Sequence, residues 1–194
     1  MTEQLKILTV CTHNRTRSVM TAAMLAALLD DRLGADATMV RSLGCGPEGE
    51  PPIPDAVAAM QRRGLDVSAH RSRKVKATRV RPADLILTAE RDHVIKLSAE
   101  APDAGRRAFT FPEFVRLAAA KPFAGGDLRE WAETLSVERS ATDYLAGGNH
   151  DDVWDPTGSA PRRFRSAVDD MALLCRQVAV AITPPTGDDI VFEF

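Results

Sequence analysis

The chain has little cysteine and almost no net charge. Its 194 residues include only three cysteines, Cys11, Cys45 and Cys175, an odd number at wide spacing. This pattern argues against a disulfide framework or a structural zinc site, and we expect free thiols in a reducing cytoplasm. The 25 Lys and Arg residues nearly balance the 27 Asp and Glu residues, for a net charge of −2. General attraction to nucleic acid or to a membrane surface is therefore not expected.

Long apolar runs are also missing. None approaches the roughly 18 residues that a membrane-spanning helix needs, and residues 1–6 do not have the layout of a secretory signal. The chain contains no internal repeat and no low-complexity run. Hydrophobic residues make up 44% of it, enough to build a substantial core in one domain. We therefore expect a single-domain cytoplasmic protein.

What is present is an alternation of strand-like and helix-like segments. Strands that alternate with helices indicate a parallel sheet. The predicted fold is α/β, with three layers in which a four-stranded parallel sheet carries helices on both faces. Ligands bind such sheets at the carboxyl ends of the strands. Strands are predicted at 5–10, 38–42, 84–88 and 107–111, and helices at 18–32, 54–63, 114–120, 127–135 and 161–182, with a short one ending near 97.

The most informative motif is Cys-x5-Arg-Ser at residues 11–18, directly after the first predicted strand. A loop of this length can curl so that its backbone N–H groups converge, and the following helix N-terminus adds partial positive charge. Such a nest binds a tetrahedral oxyanion. Cys11 lies at the bottom, where the same field favours the thiolate, and Arg17 offers a planar fork for two oxygens. This phosphate loop (residues 11–18) therefore predicts covalent phosphoryl transfer to Cys11.

The other residues of the phosphate loop are expected to hold the phosphoryl group or to shape the loop. Asn14 tolerates the left-handed backbone conformation that a tight loop often needs, and Ser18 can donate a hydrogen bond to the thiolate. No metal or cofactor is expected, because the loop amides and Arg17 supply the positive field. The candidate substrate-binding residues are Thr12, His13, Asn14, Arg15, Thr16 and Ser18.

A second motif, Val-Trp-Asp-Pro-Thr-Gly, occupies residues 153–158, before the last predicted helix. We call this segment the acid loop. A phosphatase of this kind needs a general acid to protonate the departing oxygen, and Asp155 can supply it, since Pro156 keeps the preceding backbone extended. Asp-Pro is also a common turn. The catalytic interpretation therefore depends on its pairing with the phosphate loop.

Domain organisation follows from these elements. The domain extends over residues 1–182. Residues 121–152 contain two Gly-Gly pairs and are expected to form an insertion near the rim of the phosphate loop. Residues 183–194 form a C-terminal tail, because a Pro-Pro pair breaks the last helix before an apolar stretch.

Together these motifs resemble those of the low-molecular-weight protein tyrosine phosphatase family. That family carries Cys-x-Gly-Asn-x-Cys-Arg-Ser near its N-terminus and Asp-Pro-aromatic near its C-terminus. The resemblance covers about residues 5–98 and 150–182, including segments 42–44, 64–73 and 83–93. The matching motif positions are Cys11, Asn14, Arg17, Ser18, Asp155 and Pro156.

The resemblance implies a phosphatase that hydrolyses phosphate monoesters, phosphotyrosine or aryl phosphates, through a phosphocysteine. Cys11 would attack phosphorus, Arg17 would hold the equatorial oxygens, and Asp155 would act first as acid and then as base toward water. The expected partner is a phosphorylated protein or a small aryl phosphate. The supporting residues that the resemblance implies are Ser42 and His70, which would brace Asn14 from behind.

Three positions depart from the family pattern. His13 stands where the family usually has glycine. Thr16 replaces a cysteine that can form a reversible disulfide with the nucleophile. Thr157 replaces the aromatic residue that flanks the phosphotyrosine ring in relatives, so an aryl substrate would lose one stacking wall.

Two alternatives to a phosphatase stay open. Some arsenate reductases share this fold and a Cys-x-His-Asn-x-x-Arg-Ser loop, so His13 is compatible with a single-cysteine arsenate reductase that passes its adduct to a small thiol. The thioredoxin-linked type needs a closely spaced cysteine pair, which the chain lacks. The second alternative is a non-catalytic phosphate-binding module. The intact set of Cys11, Arg17 and Asp155 argues against it.

Overall fold

The computed structural model describes residues 4–139 and 151–184, which contain one parallel sheet. Its strands are β1 (Leu5–Cys11), β2 (Thr38–Gly44), β3 (Leu85–Thr88) and β4 (Ala108–Thr110). They lie in the order β2-β1-β3-β4, with every neighbouring pair parallel. The four-stranded parallel sheet predicted from the sequence is confirmed.

Helices cover both faces of this sheet. On each face, a separate hydrophobic core lies between the sheet and the helices. In β1, Ile7 and Cys11 face the larger core and Leu8 and Val10 face the smaller one, as the alternation of side chains along a strand requires. Within the described ranges no helix is both long and apolar enough to cross a bilayer. The helices are α1 (Arg17–Leu33), α2 (Pro54–Gln61), α3 (Ala77–Val80), α4 (Arg91–Glu100), α5 (Phe111–Ala120), α6 (Leu128–Leu135) and α7 (Pro161–Ile182), with 3-10 turns at Pro102–Arg107 and Ser136–Glu138.

Most predicted bounds agree with the structure to within a few residues, and two differences have clear causes. Strand β2 extends to Gly44, because Gly44 pairs in register with Cys11 at the end of β1. Helix α5 begins at Phe111, because Thr110 acts as its N-cap: the Thr110 hydroxyl accepts the Glu113 N–H at 3.2 Å. A capping side chain of this kind fixes where a helix starts.

Helix α6 does not border the phosphate loop, although it falls within residues 121–152. Its apolar face, with Leu128 and Leu135, is buried in the larger core. Its Arg129 pairs with Asp84 at 3.0 Å, and Asp84 accepts the Lys6 N–H at the amino ends of the strands. The helix therefore lies at the opposite edge of the sheet, contrary to expectation. Residues 140–150 and 185–194, which include most of the predicted tail, lie outside the described residues.

Candidate active site

The phosphate loop joins β1 to α1 at the carboxyl edge of the sheet. The chain leaving β1 goes on to β2 on one side, and the chain leaving β3 goes on to β4 on the other. These connections diverge and leave a crevice, the usual ligand position in an open parallel sheet. The acid loop reaches the same crevice, where the Val153 N–H donates to the Ala89 carbonyl at 2.7 Å.

Backbone carbonyls of the phosphate loop point outward, into the surrounding protein. Four of them accept hydrogen bonds from outside the loop: Cys11 from Cys45 N–H (3.2 Å), Thr12 from Gly46 N–H (2.8 Å), Asn14 from His70 Nε2 (2.9 Å) and Arg15 from Ile53 N–H (3.2 Å). The C=O and N–H of one trans peptide point in opposite directions. The N–H groups that therefore face the concave side belong to Thr12, His13, Arg15 and Thr16.

These inward N–H groups form an anion nest. In the described part of the chain, no hydrogen bond uses the N–H of any residue from 12 to 16. Backbone N–H groups inside a protein are almost always paired, so a row of unpaired donors beside Cys11 is a site that a bound oxyanion would complete. Helix α1 begins at Arg17 and adds the positive end of its dipole.

Asn14 and Gly44 set the curvature of the loop. Asn14 has φ of 54°, the left-handed conformation expected from the sequence. Gly44 lies directly behind it, and a Cβ at position 44 would lie 2.7 Å from the Asn14 N and 2.8 Å from the Asn14 Cβ. Any side chain there would displace the loop, so the glycine that ends β2 is a packing requirement.

The Asn14 side chain is fully buried, and both of its polar atoms are used. Its Nδ2 donates to Ser18 Oγ at 3.0 Å, and its Oδ1 accepts the Arg73 N–H at 2.8 Å. His70 Nε2 donates to the Asn14 carbonyl at 2.9 Å. Burial, the largest influence on His70, lowers its pKa, so this ring is neutral at physiological pH.

Ser42 does not take the supporting position that the resemblance implied. Among the described residues, no hydrogen bond joins Ser42 to Asn14. The Gly44 N–H donates to the Arg73 carbonyl at 2.8 Å, which brings the Arg73 backbone alongside Asn14 instead. Ser42 lines a cavity between α1 and β2.

The sulfur of Cys11 is held at the base of the loop by Ser18. The Sγ lies 3.0 Å from Ser18 Oγ. Because Ser18 Oγ already accepts a hydrogen bond from Asn14, its own hydrogen is available to the sulfur. This hydrogen bond fixes the position of the sulfur beneath the loop amides.

The side chains of His13 and Arg15 are engaged outside the nest. His13 is exposed, and its Nδ1 lies so close to Gly46 that a Cβ there would be 3.0 Å away. Arg15 Nε donates to the Pro51 carbonyl at 2.7 Å. These two residues can therefore contribute to phosphate binding through their backbone N–H groups.

Arg17 is almost completely buried between two carboxylates. Its Nη1 binds the Glu90 carboxylate and donates to the Val153 carbonyl at 2.9 Å, and its Nη2 donates to Asp155 Oδ2 at 2.8 Å. Its Nε is buried without a described partner. Nε and Nη2 form one edge of the planar fork. That edge can take two phosphoryl oxygens once Asp155 gives up Nη2.

Asp155 is ionised while it holds Arg17. Burial alone would raise its pKa, but hydrogen bonds from Thr157 and the Arg17 charge outweigh burial and hold the pKa of Asp155 below its ordinary value. The Thr157 N–H donates to Oδ1 at 3.0 Å. To serve as an acid, Asp155 has to leave Arg17 and take up a proton.

Two residues at the start of α4, Glu90 and His93, were not identified from the sequence as site residues. His93 Nδ1 accepts the Glu90 N–H at 3.1 Å, so the ring proton is on Nε2, which donates to Thr12 Oγ1 at 3.0 Å. Burial lowers the pKa of His93 to about 4. One signal in the sequence could have identified them. Both residues closely follow β3, at the carboxyl edge of the sheet where ligands bind.

Comparison with known proteins agrees with this geometry. Residues 6–137, more than half of the chain, match the family model described as low molecular weight phosphotyrosine protein phosphatase. The "Probable low molecular weight protein-tyrosine-phosphatase EpsP" of Ralstonia nicotianae is 31% identical over 138 residues, which are 71% of this chain and 90% of that protein. The chain belongs to the low molecular weight protein tyrosine phosphatase family.

Solved structures of this family and its relatives confirm the fold. The low molecular weight protein tyrosine phosphatase from T. tengcongensis superimposes with a TM-score of 0.67 at 24% identity, over 90% of this chain and 97% of that chain. The YwlE arginine phosphatase from Geobacillus stearothermophilus gives a TM-score of 0.65 at 26% identity, over 90% of each chain.

Membership of the low molecular weight phosphatases decides between the alternatives raised by the sequence. The protein is a cysteine-dependent phosphatase, so the non-catalytic phosphate-binding module was wrong. Neither the family model nor these relatives supports the arsenate-reductase alternative.

Because His93 is buried in its neutral form, it should make the fold less stable in mild acid. An unfolded histidine has a pKa of about 6.5, whereas the pKa of His93 in the fold is about 4. Between these values the unfolded state binds more protons, so the free energy of unfolding falls as the pH falls. From pH 7 to pH 5 this one site should cost about 2 kcal/mol.

Urea denaturation of the wild type and of His93→Gln at both pH values measures this cost. Glutamine offers a donor and an acceptor without titrating, so the variant should lose about 2 kcal/mol less than the wild type. Equal losses in the two proteins would show that His93 is not held neutral in the fold.

Peroxide should inactivate the enzyme through Cys11. Cys11 packs into the larger core and Cys45 against the smaller one, so the two side chains face opposite sides of the sheet although the Cys45 N–H bonds the Cys11 carbonyl. Burial raises the pKa of Cys45 and raises the pKa of Cys175 to about 12. Thr16 offers no thiol. Sulfenic acid on Cys11 therefore has no cysteine beside it to trap it.

We expect dithiothreitol to restore activity only after brief exposure, before sulfinic acid accumulates, and bound phosphate to protect Cys11. Peptide mass spectrometry with parallel activity assays checks both points. A stable Cys11–Cys45 disulfide with full recovery on reduction would contradict the expectation.

Proposed function

We propose that this phosphatase hydrolyses aryl phosphate monoesters, phosphotyrosine in proteins above all, through a phosphocysteine on Cys11. The observation that carries the proposal is the set of unpaired donors around Cys11, namely Arg17 Nε and the inward N–H groups of Thr12, His13, Arg15 and Thr16. A tetrahedral dianion would satisfy both groups of donors at once. The description of the matching family as a phosphotyrosine protein phosphatase supports the same substrate class.

The reaction has two steps. The Cys11 thiolate attacks phosphorus while the bond to the leaving oxygen breaks, and protonated Asp155 gives its proton to that oxygen. The loop amides and Arg17 hold the remaining oxygens and offset their developing charge. A water molecule then gives a proton to Asp155 and attacks the phosphocysteine, which releases inorganic phosphate and regenerates the thiolate.

Substrate binding and acid catalysis are coupled through Arg17. The phosphoryl dianion competes with Asp155 for Arg17 Nη2. When it wins, Asp155 loses one of the interactions that hold its pKa down and can keep a proton more readily. Substrate binding thus breaks the resting ion pair, so that Asp155 can act as the acid and Arg17 can bind the phosphoryl group.

Trp154 of the acid loop is the proposed source of aromatic contact with the substrate. Trp154 is 53% exposed and directly precedes Asp155, so it offers apolar contact area beside the acid that Thr157 cannot supply. The three cysteines of the chain are all free, which favours the reducing cytoplasm as the place of action. The proposed partner is a phosphorylated protein, with small aryl phosphates as simpler substrates.

Leaving-group dependence tests the acid role. Asp155→Asn should lower kcat/KM for phenyl phosphate by roughly 10²–10⁴, the usual contribution of general acid catalysis. The loss should be far smaller for 2,4-dinitrophenyl phosphate, whose acidic phenol leaves without help. An equal loss for both esters would remove Asp155 from the acid role and leave it as part of a turn.

Cys11→Ser is the matched control for the nucleophile. It should abolish turnover of both esters while calorimetry still detects inorganic phosphate binding, because the loop amides and Arg17 remain. Comparison of phosphotyrosine with phosphoarginine on the wild type tests the substrate class. A preference for phosphoarginine would overturn that class.

A further inference from the structure

Two of the positions that depart from the family pattern are in direct contact. Thr16 Oγ1 lies 3.2 Å from Thr157 Oγ1, although 141 residues separate them in sequence. Thr16 is the last residue before α1, and Thr157 lies in the acid loop. The hydroxyl pair therefore ties the phosphate loop to the acid loop.

The hydroxyl of Thr16 is not used where threonine at this position usually acts. A threonine before the first turn of a helix commonly accepts an N–H of that turn, but Thr16 makes no such capping bond to α1. The residue is only 6% exposed. The described hydrogen-bond partner of its hydroxyl is Thr157, so the contact with the acid loop takes the place of the cap.

Thr157 is in turn rigidly connected to Asp155. Its N–H donates to Asp155 Oδ1 at 3.0 Å. The following residues close a tight turn, in which the Ser159 N–H donates to the Pro156 carbonyl at 3.0 Å and Gly158 adopts φ of 76°. Pro156 is buried. The Thr157 side chain also hydrogen-bonds the Asp155 carboxylate. Thr157 itself is exposed, so a contact that restrains its hydroxyl helps to hold that carboxylate in place.

We propose that the Thr16–Thr157 hydroxyl pair is a positioning contact that holds Asp155 over the phosphate loop during the reaction. The proposal rests on the function proposed above, in which Asp155 is the general acid. In the resting enzyme Arg17 itself ties the two loops together, through Asp155 and the Val153 carbonyl.

The contact matters most when substrate is bound. The phosphoryl group then takes Nη2 of Arg17, and the direct tie from Arg17 to Asp155 is lost. Among the described residues, the Thr16–Thr157 bond is the one hydrogen bond between the two loops that does not involve Arg17. Neither threonine exchanges a proton with substrate, and both act through Asp155.

Valine substitutions remove the hydroxyls and keep the side-chain shape. Thr16→Val and Thr157→Val should each lower kcat/KM for phenyl phosphate about three- to tenfold, the range that one neutral hydrogen bond spans. Both should lower kcat/KM for 2,4-dinitrophenyl phosphate by a clearly smaller factor than for phenyl phosphate, because the more acidic phenol needs little help from Asp155. The double variant should be no worse than Thr157→Val alone, because Thr16→Val removes only the bond between the two hydroxyls, whereas Thr157→Val also removes a hydroxyl that hydrogen-bonds Asp155.

Two controls separate positioning from general damage to the site. Thr157→Ser keeps the hydroxyl and should restore the ratio of the two kcat/KM values to near that of the wild type. Thr134→Val makes the same chemical change on α6, at the opposite edge of the sheet, and should not alter that ratio. Inorganic phosphate should bind Thr157→Val as tightly as it binds the wild type.

Failure of this proposal is distinguishable from failure of the proposed function. If Asp155→Asn shows its leaving-group dependence but the valine variants do not, or if their losses multiply in the double variant, the positioning contact is refuted and the acid stands. If Asp155→Asn lowers kcat/KM equally for both esters, the acid role fails, and the positioning proposal fails with it.

Discussion

A buried guanidinium held between two carboxylates is the interaction on which the rest of the site depends. Burial of a charge is costly unless partners compensate it, and Arg17, only 2% exposed, has Glu90 and Asp155. These residues come from three separate connections: the start of α1, the segment after β3 and the acid loop. One cation thus draws three segments together at the carboxyl edge of the sheet. Its fork keeps one buried, unpaired N–H, that of Nε. The two carboxylates therefore compensate the buried charge, while Nε is left for a phosphoryl oxygen.

The shape of the phosphate loop is imposed from outside. Its carbonyls bond to the chain after β2, to residue 53 and to His70, and its amides are left facing inward as a consequence. Gly44 permits the closest approach behind the loop. This explains how the loop tolerates His13 where relatives have glycine: the His13 ring lies outward beside Gly46, and the left-handed position falls on Asn14.

The sequence predicted the fold and the phosphate loop well, because both depend on local patterns. Apolar runs alternate with amphipathic helices, and Cys11 and Arg17 sit at a strand-to-helix junction. It was less informative about residues whose importance comes from tertiary contact. Glu90 and His93 have no recognisable spacing to the loop, and they become site residues only because β3 pairs beside β1. The sequence also named Ser42 as a support for Asn14, whereas the hydrogen bond to Asn14 Oδ1 comes from the Arg73 backbone, through a contact that no local pattern indicates. Residues 121–152 were expected near the rim of the phosphate loop, but their described helix α6 packs into the larger core at the amino ends of the strands.

The account requires that Arg17 exchange Asp155 for phosphate while it keeps Glu90. A crystal structure of the Cys11→Ser enzyme with inorganic phosphate in the loop tests this most directly. We expect Arg17 Nε and Nη2 within hydrogen-bonding distance of two phosphate oxygens, Nη1 still on Glu90, and the Asp155 carboxyl detached from Nη2. Phosphate bound in the loop with Arg17 Nη2 still on Asp155 and Nε still unpaired would contradict the account.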